Sequence, residues 1–327
     1  VRFHEGIDAQ PAALESSAAA LATTLPRLRP PPRDAVVALV GIGASEYVAR
    51  GAAPVWRSWG LRAFPVSAAE LADGGHGGAD VYVGMSESGR SAETVAALES
   101  VAARKVCVTN DGDSPLAAVA DEVVLLQSGP DSPVYTTGYT ATLQAVGMLG
   151  EQWAGRGSDW SAVPRLVADV LRSAEPVVKD VVDASDHARL VDVVGSGASN
   201  ATAGEGALLL REAARLHTAA HETRNYLHGP METLDPQAAC IIVGDGREVE
   251  LAHDVAALGC HTLLITTRPD VAGTGALAVV RLPRPPSALA GAVLQILPVQ
   301  LLGRDLADRR GLAVRGFRYR QGDTKLD

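Results

Sequence analysis

The sequence predicts an α/β protein in which one domain is built twice, each copy a parallel sheet flanked by helices on both faces. Two observations carry the prediction. Short apolar runs alternate with helix-periodic segments, the pattern of βα units whose strands pair in parallel. A strand followed by Gly-x-Gly-Ala-Ser also occurs twice, with Gly41, Gly43 and Ser45 answered 154 residues on by Gly195, Gly197 and Ser199.

The elements follow in order. Residues 8–25 are rich in Ala and Leu at helical spacing, and Leu28-Arg29-Pro30-Pro31-Pro32-Arg33 reads as a stiff linker. Residues 36–40 read as a buried strand, and a helix is expected over 46–59. Strands are expected at 63–66 and 80–84, a helix over 91–104, and strands at 105–109 and 123–127. A helix past Tyr139 runs to Trp153, after which Gly155-Arg156-Gly157-Ser158-Asp159 breaks the pattern. The division falls there, giving domains 1–155 and 156–327. In the second copy residues 239–244 answer 81–85, and 255–258 answer 95–98. The apolar stretch 288–303 contains Gln295, Pro298 and Gln300 and reads as a buried helix rather than a membrane span.

The first copy is organised around Ser86-Glu87-Ser88-Gly89-Arg90-Ser91-Ala92-Glu93-Thr94, a hydroxyl-rich loop between a strand and a helix. Free amides and the positive end of a helix dipole make such a turn an anion site. Ser91 is placed as the N-cap. An ordinary capped turn would have the same outline. The matching loop of the second copy, Gly244-Asp245-Gly246-Arg247, has no hydroxyls and carries a carboxylate, so one phosphate site is expected, in the first half.

Composition bounds the function. The chain has 327 residues, net charge −9 and no long basic run, which argues against nucleic acid or an anionic membrane as partner. Cys107, Cys240 and Cys260 have neither CxxC nor metal-ligand spacing and read as reduced core thiols of a cytoplasmic protein. Arg2, His4, Glu5 and Asp8 interrupt any apolar leader. The Gly-x-Gly turns suggest a dinucleotide fingerprint, but Glu46 and Asn200 stand where its third glycine belongs, and no cofactor is expected.

The second copy carries the groups for chemistry. Glu205 and Glu212 are seven apart on an Ala/Leu-rich helix and lie near one face, either as solvated acids or as a base facing a ligand. His228 precedes Gly229-Pro230 in a turn that exposes its ring, where a neutral imidazole can shuttle protons. His217 and His221, read as four apart on a helix, could ligate a metal, but no third ligand is evident and none is expected.

Together these residues resemble the sugar isomerase (SIS) domain family, most of all the isomerase half of the glutamine–fructose-6-phosphate aminotransferases. The likeness rests on the tandem repeat, the serine loop, Glu205-Gly206-Ala207-Leu208 with Glu212, and His228-Gly229-Pro230 sixteen residues later. It implies two flavodoxin-like domains and a homodimer with a shared active site. It implies that Ser86, Ser88 and Ser91, with the amides of Glu87 and Gly89, hold the phosphate of a hexose 6-phosphate. Ser45, Thr136, Thr137 and Glu205 would line the sugar. Glu212 would be the base that moves a proton between C1 and C2, and His228, from the neighbouring subunit, would open the ring.

Departures from the family shape the expected reaction. Nothing before residue 35 resembles a glutaminase. Leu209 replaces the lysine beside the catalytic glutamate, and the imine-forming tail lysine falls near Gly322, with Lys325 close but displaced. Glu87 stands where the family favours Gln, and Arg90, where it favours Glu, is placed to compensate. Amine transfer is therefore not expected. Isomerase or deaminase chemistry on an amino-sugar or hexose 6-phosphate comes first, elimination of the C3 hydroxyl second, and a non-catalytic sugar-phosphate binder third. No DNA-binding segment accompanies the repeat.

Overall fold

The computed structural model describes residues 1–74, 78–319 and 321–326. Helix α1 (Phe3–Thr24) leads into β1 (Val36–Gly41), α2 (Ala44–Ser58), β2 (Arg62–Ser67), α3 (Ala68–Ala72), β3 (Val81–Met85) and α4 (Ala92–Glu99). The first copy continues with β4 (Arg104–Thr109), α5 (Pro115–Val119), β5 (Glu122–Leu125) and α6 (Thr137–Trp153). Then come α7 (Val163–His187), β6 (Leu190–Gly195), α8 (Ser199–Ala214), β7 (Thr218–His221) and α9 (Thr223–Tyr226). The chain closes with β8 (Ala238–Val243), α10 (Arg247–Ala257), β9 (His261–Thr266), β10 (Leu277–Arg281) and α11 (Ala288–Arg309).

Both sheets have five strands, and the two orders are the same. The first is β2-β1-β3-β4-β5 and the second, read from the other edge, is β7-β6-β8-β9-β10. All pairings are parallel. This is the doubly wound order of flavodoxin-like sheets. The central strands β1, β3, β6 and β8 are buried on both faces, while the edge strands are more open.

Alternation along the strands divides the core. In β1, Val37 and Leu39 face a large cluster shared by both copies, while Ala38 and Val40 face a smaller one under α3, α4 and α5. In the second sheet Val191, Val193 and Ile241 face the shared cluster, and Val194, Cys240 and Ile242 the outer one beneath α10. The shared cluster also takes residues of α1, α2, α6, α7, α8 and α11. The fold is thus five layers, with a common helix layer between two sheets. α11 is long and apolar enough to cross a membrane by length and composition, and 89% of its apolar window is buried inside this layer.

Four local expectations are corrected. α1 starts at Phe3, not residue 8, because Glu5 accepts the Arg2 amide at 2.8 Å and closes the first turn. α4 stops at Glu99 rather than 104, where the Ser100 hydroxyl bonds back to Ala97 O at 2.8 Å. α7 was not foreseen, although Val163, Val167, Val170, Ala174, Val178 and Val182 make a buried stripe at helical spacing. His217 and His221 are not on a helix; His217 precedes β7 and His221 ends it. The three cysteines are free and buried, as expected.

Candidate active site

Each sheet changes direction between its first and third strands, and a crevice opens at their carboxyl ends. In the first copy that crevice lies between the turn after β1 and the loop after β3. Gly43 and its counterpart Gly197 both take φ +56°, a conformation that favours glycine and explains why this residue is repeated. Ser45 lies half-buried in the first turn of α2, at the rim of the crevice.

The serine loop gathers its hydroxyls. Ser86 Oγ and Ser91 Oγ are 3.1 Å apart, and Lys325 Nζ donates to Ser88 Oγ at 3.1 Å and Ser91 Oγ at 3.2 Å. The tail is held there by its main chain. Leu326 N donates to Arg90 O at 2.9 Å, and Ala92 N to Thr324 O at 3.2 Å. Ser91 is the N-cap residue of α4 as expected, but its hydroxyl faces Ser86 and Lys325 instead of capping an amide. Gly89 N is committed to Ser86 O at 2.9 Å, so it is not a free donor. Among the described residues, the amides of Glu87 and Ser88 have no hydrogen-bond partner.

The charges of the loop resolve differently from expectation. Arg90 pairs with Asp111 at 3.4 Å, both well exposed, and does not compensate Glu87. Glu87 turns toward Asn110, whose Nδ2 donates to it at 3.2 Å, and its stem lies against Gly138, where a Cβ would come within 2.5 Å of Glu87 Cγ. Burial raises the Glu87 pKa and the Asp131 charge adds to this, while Asn110 and Lys325 oppose it.

Asp131 was missed by the sequence reading. Its carboxylate accepts from Thr136 N at 2.8 Å, Gly138 N at 2.7 Å and Thr136 Oγ1 at 2.5 Å, tying down the start of α6. It stands five residues before Thr136, outside N-cap spacing, so no local signal marks it. The Thr136 hydroxyl is therefore spent on the helix start. Thr137 Oγ1 is buried and has no partner among the described residues.

The second copy reaches this crevice through α8, which lies in the shared helix layer against α2. Gly204 permits the approach, since a Cβ there would fall 2.0 Å from the Tyr47 ring. Glu205 is only 1% exposed, and its Oε2 has no partner among the described residues. Burial raises Glu205 well above the carboxylate range, and the charges of Glu212 and Asp131 raise it further. Glu212, half-buried, is pushed up to about 7 by burial. Glu205 is thus not a solvated surface acid, and Glu212 is only partly open to solvent. Burial raises the Tyr135 phenol, and the charges of Glu87, Asp131 and Glu212 raise it further. Leu209 is fully buried.

His228 sits on an exposed turn after α9, its amide bonded to Asn225 O at 3.1 Å. Its ring has no hydrogen bond among the described residues, and none brings it to Glu212 of the same chain. Among those residues no group of three or more His, Cys, Asp or Glu is arranged to hold a metal.

The second crevice is filled by the chain itself. Glu248, 5% exposed, accepts from Ser196 Oγ at 2.7 Å, Thr223 Oγ1 at 2.6 Å and Gly246 N at 3.2 Å. Burial disfavours its charge, but these hydrogen bonds outweigh burial and hold its pKa below the usual value. A carboxylate occupies the place where the first copy offers hydroxyls.

Fold and site together define a doubly repeated α/β protein with a serine-rich loop at its first switch point and, on α8, one buried and one half-buried carboxyl group. The SIS domain profile matches residues 35–153 and 186–307, and the chain belongs to the SIS domain family. A glutamine–fructose-6-phosphate aminotransferase [isomerizing] of Thermus thermophilus is 29% identical over 260 residues, 70% of this chain and 42% of that protein. The chain thus spans less than half the length of the relatives it matches. The solved glucosamine-6-phosphate deaminase of Thermotoga maritima superposes with TM-score 0.82 at 19% identity, covering 98% of each chain. The C-terminal domain of glucosamine-fructose-6-phosphate aminotransferase from Francisella tularensis gives TM-score 0.80 at 20% identity, over 96% of this chain and 97% of that one. At these identities the two structures establish a shared fold.

Proposed function

We propose that the chain binds a hexose or amino-sugar 6-phosphate and moves a proton at C2, as an isomerase or deaminase. The observation that carries this reading is Glu212, a carboxyl that burial pushes up to about 7 on α8, the helix packed against α2 of the first copy. A base poised near neutrality is what proton abstraction next to a carbonyl requires. The phosphate would sit among Ser86, Ser88, Ser91 and the amides of Glu87 and Ser88, at the start of α4. His228 of the neighbouring subunit in a homodimer would carry the proton of the anomeric hydroxyl to the ring oxygen, freeing the aldehyde. Glu212 then takes the C2 proton, the electron pair moves toward C1, and charge collects on the aldehyde oxygen. Glu205, held neutral, donates a hydrogen bond to that oxygen or to a neighbouring hydroxyl. Transfer of the O2 proton to O1 and return of the C2 proton to C1 give the ketose. With an amino group at C2 the same transfer gives a 2-imine, which water splits into ketose and ammonia.

A second reading is loss of the C3 hydroxyl from the same intermediate. It is favoured by Glu205, a fully buried neutral acid able to protonate a leaving hydroxyl, and by Leu209, which puts an apolar group where an amine would serve transfer. The test is incubation with glucosamine 6-phosphate, N-acetylglucosamine 6-phosphate and fructose 6-phosphate in heavy water, with C1 and C2 followed by NMR. Deuterium at these carbons is expected with at least one sugar, and Glu212→Gln should abolish it. A product unsaturated at C2–C3 selects elimination. Binding without exchange or product for all three sugars would make the chain a non-catalytic binder.

A further inference from the structure

The serine loop is poorly supplied with positive charge for a phosphate dianion. Glu87 lies in it and Glu93 in the first turn beyond it, and its own cation, Arg90, is engaged with Asp111. The chain has three lysines, Lys105, Lys179 and Lys325. Lys179 pairs with Glu175 at 3.0 Å on the surface of α7. Lys325 comes from the far end of the sequence and places its ammonium between two of the three loop serines.

The main chain fixes this placement. Ser91 and Lys325 form an antiparallel bridge, and the hydrogen bonds of Thr324 and Leu326 to Ala92 and Arg90 flank it. The register leaves the Lys325 side chain to face the hydroxyls. Each serine hydroxyl has one proton and two lone pairs. An ammonium that donates to Ser88 Oγ and Ser91 Oγ occupies lone pairs and takes neither hydroxyl proton, so those protons can still be turned to an anion. The same donation polarises the hydroxyls and strengthens them as donors.

We propose that Lys325 supplies the positive charge of the phosphate site and orients its serine donors, making the C-terminal tail a determinant of specificity for phosphorylated sugars. The inference rests on the phosphate-site reading above. It assigns Lys325 to the phosphate end of the crevice, among the loop serines.

The test is calorimetric titration of the full chain with inorganic phosphate and with glucose 6-phosphate. Lys325→Met keeps the stem and removes the charge, and should weaken binding of both probes by about 10-fold or more, the scale of a lost charge-assisted hydrogen-bond donor. Lys179→Met removes one positive charge elsewhere and should stay within about 2-fold, since a distant exposed charge is screened. An unchanged far-ultraviolet spectrum and melting midpoint for Lys325→Met separate loss of charge from loss of fold. In a Ser88→Ala background the Lys325→Met loss should shrink, because the ammonium acts partly through that hydroxyl. If Lys325→Met binds both probes as the unmodified chain does, the role of Lys325 is overturned and the phosphate site stands. If the unmodified chain binds neither probe, the phosphate-site reading itself fails.

Discussion

At the scale of single residues, the site depends on two carboxyl groups whose environments differ. Burial pushes Glu212 up to about 7, and Glu205 is raised further because it is fully enclosed and faces the charge of Glu212. The first proton to leave therefore comes from Glu212. If Glu212 is the base, kcat/KM should rise with pH through about 7. A flat profile between pH 5 and 9 would exclude this carboxyl as the base. The same shift has a stability consequence. A carboxyl with a raised folded pKa binds its proton more tightly in the folded chain, so stability falls as pH rises from 4.5 to about 7. Glu212→Gln should accordingly raise the melting midpoint above neutrality, with the gain vanishing toward pH 5. Sequence reading found Glu212 by its place on a helix and by resemblance. It could not decide between solvated and buried, because that depends on how α8 packs against α2, α11, β6 and β7 in the folded chain.

At the scale of elements, α8 and the loop after β8 show how one repeat can be read twice. α8 begins like α2 yet serves the opposite crevice, since Gly204 lets it lie close against Tyr47 in the shared layer. Gly204→Val should push α8 from α2, destabilise the chain by roughly 1–3 kcal/mol and lower the rate of C2 exchange by moving Glu205. Denaturant titration and the NMR exchange assay check the two parts. In the second crevice Glu248 replaces an external anion. Glu248→Ala would leave the hydroxyls of Ser196 and Thr223 without their acceptor and should cost about 2–3 kcal/mol in urea unfolding; no loss would show that the internal carboxylate is structurally idle. The missing serines of this loop were legible. Glu248 as the replacement was not, since it lies past Asp245, the carboxylate to which the sequence pointed, and Asp245 instead bonds Thr266 and Thr267. α7 had its signal in the valine spacing, but the charged residues between the valines and Pro176 obscured it.

At the scale of the whole molecule, the division we propose at residues 155 and 156 falls in the link between α6 and α7, but the shared core makes the two copies one packing unit. The resemblance is what assigns His228 to a partner's site in our proposal, and the residue is exposed on this chain. Light scattering should give about twice the chain mass, and mixing Glu212→Gln with His228→Ala chains should restore activity that neither has alone. Failure of the mixture to recover, with each variant dimeric, would place His228 outside the shared site. The sequence by itself determined the repeat, the strand and helix alternation, the serine loop and the Glu and His candidates. These are written in local periodicity and in short runs of residue type. The tertiary structure decided which donors are free, where Arg90 and Glu87 point, that Asp131 anchors α6, and that Lys325 meets Ser91 from 234 residues away. Such contacts depend on how distant segments pack, and neither hydrophobic period nor spacing along the chain encodes them.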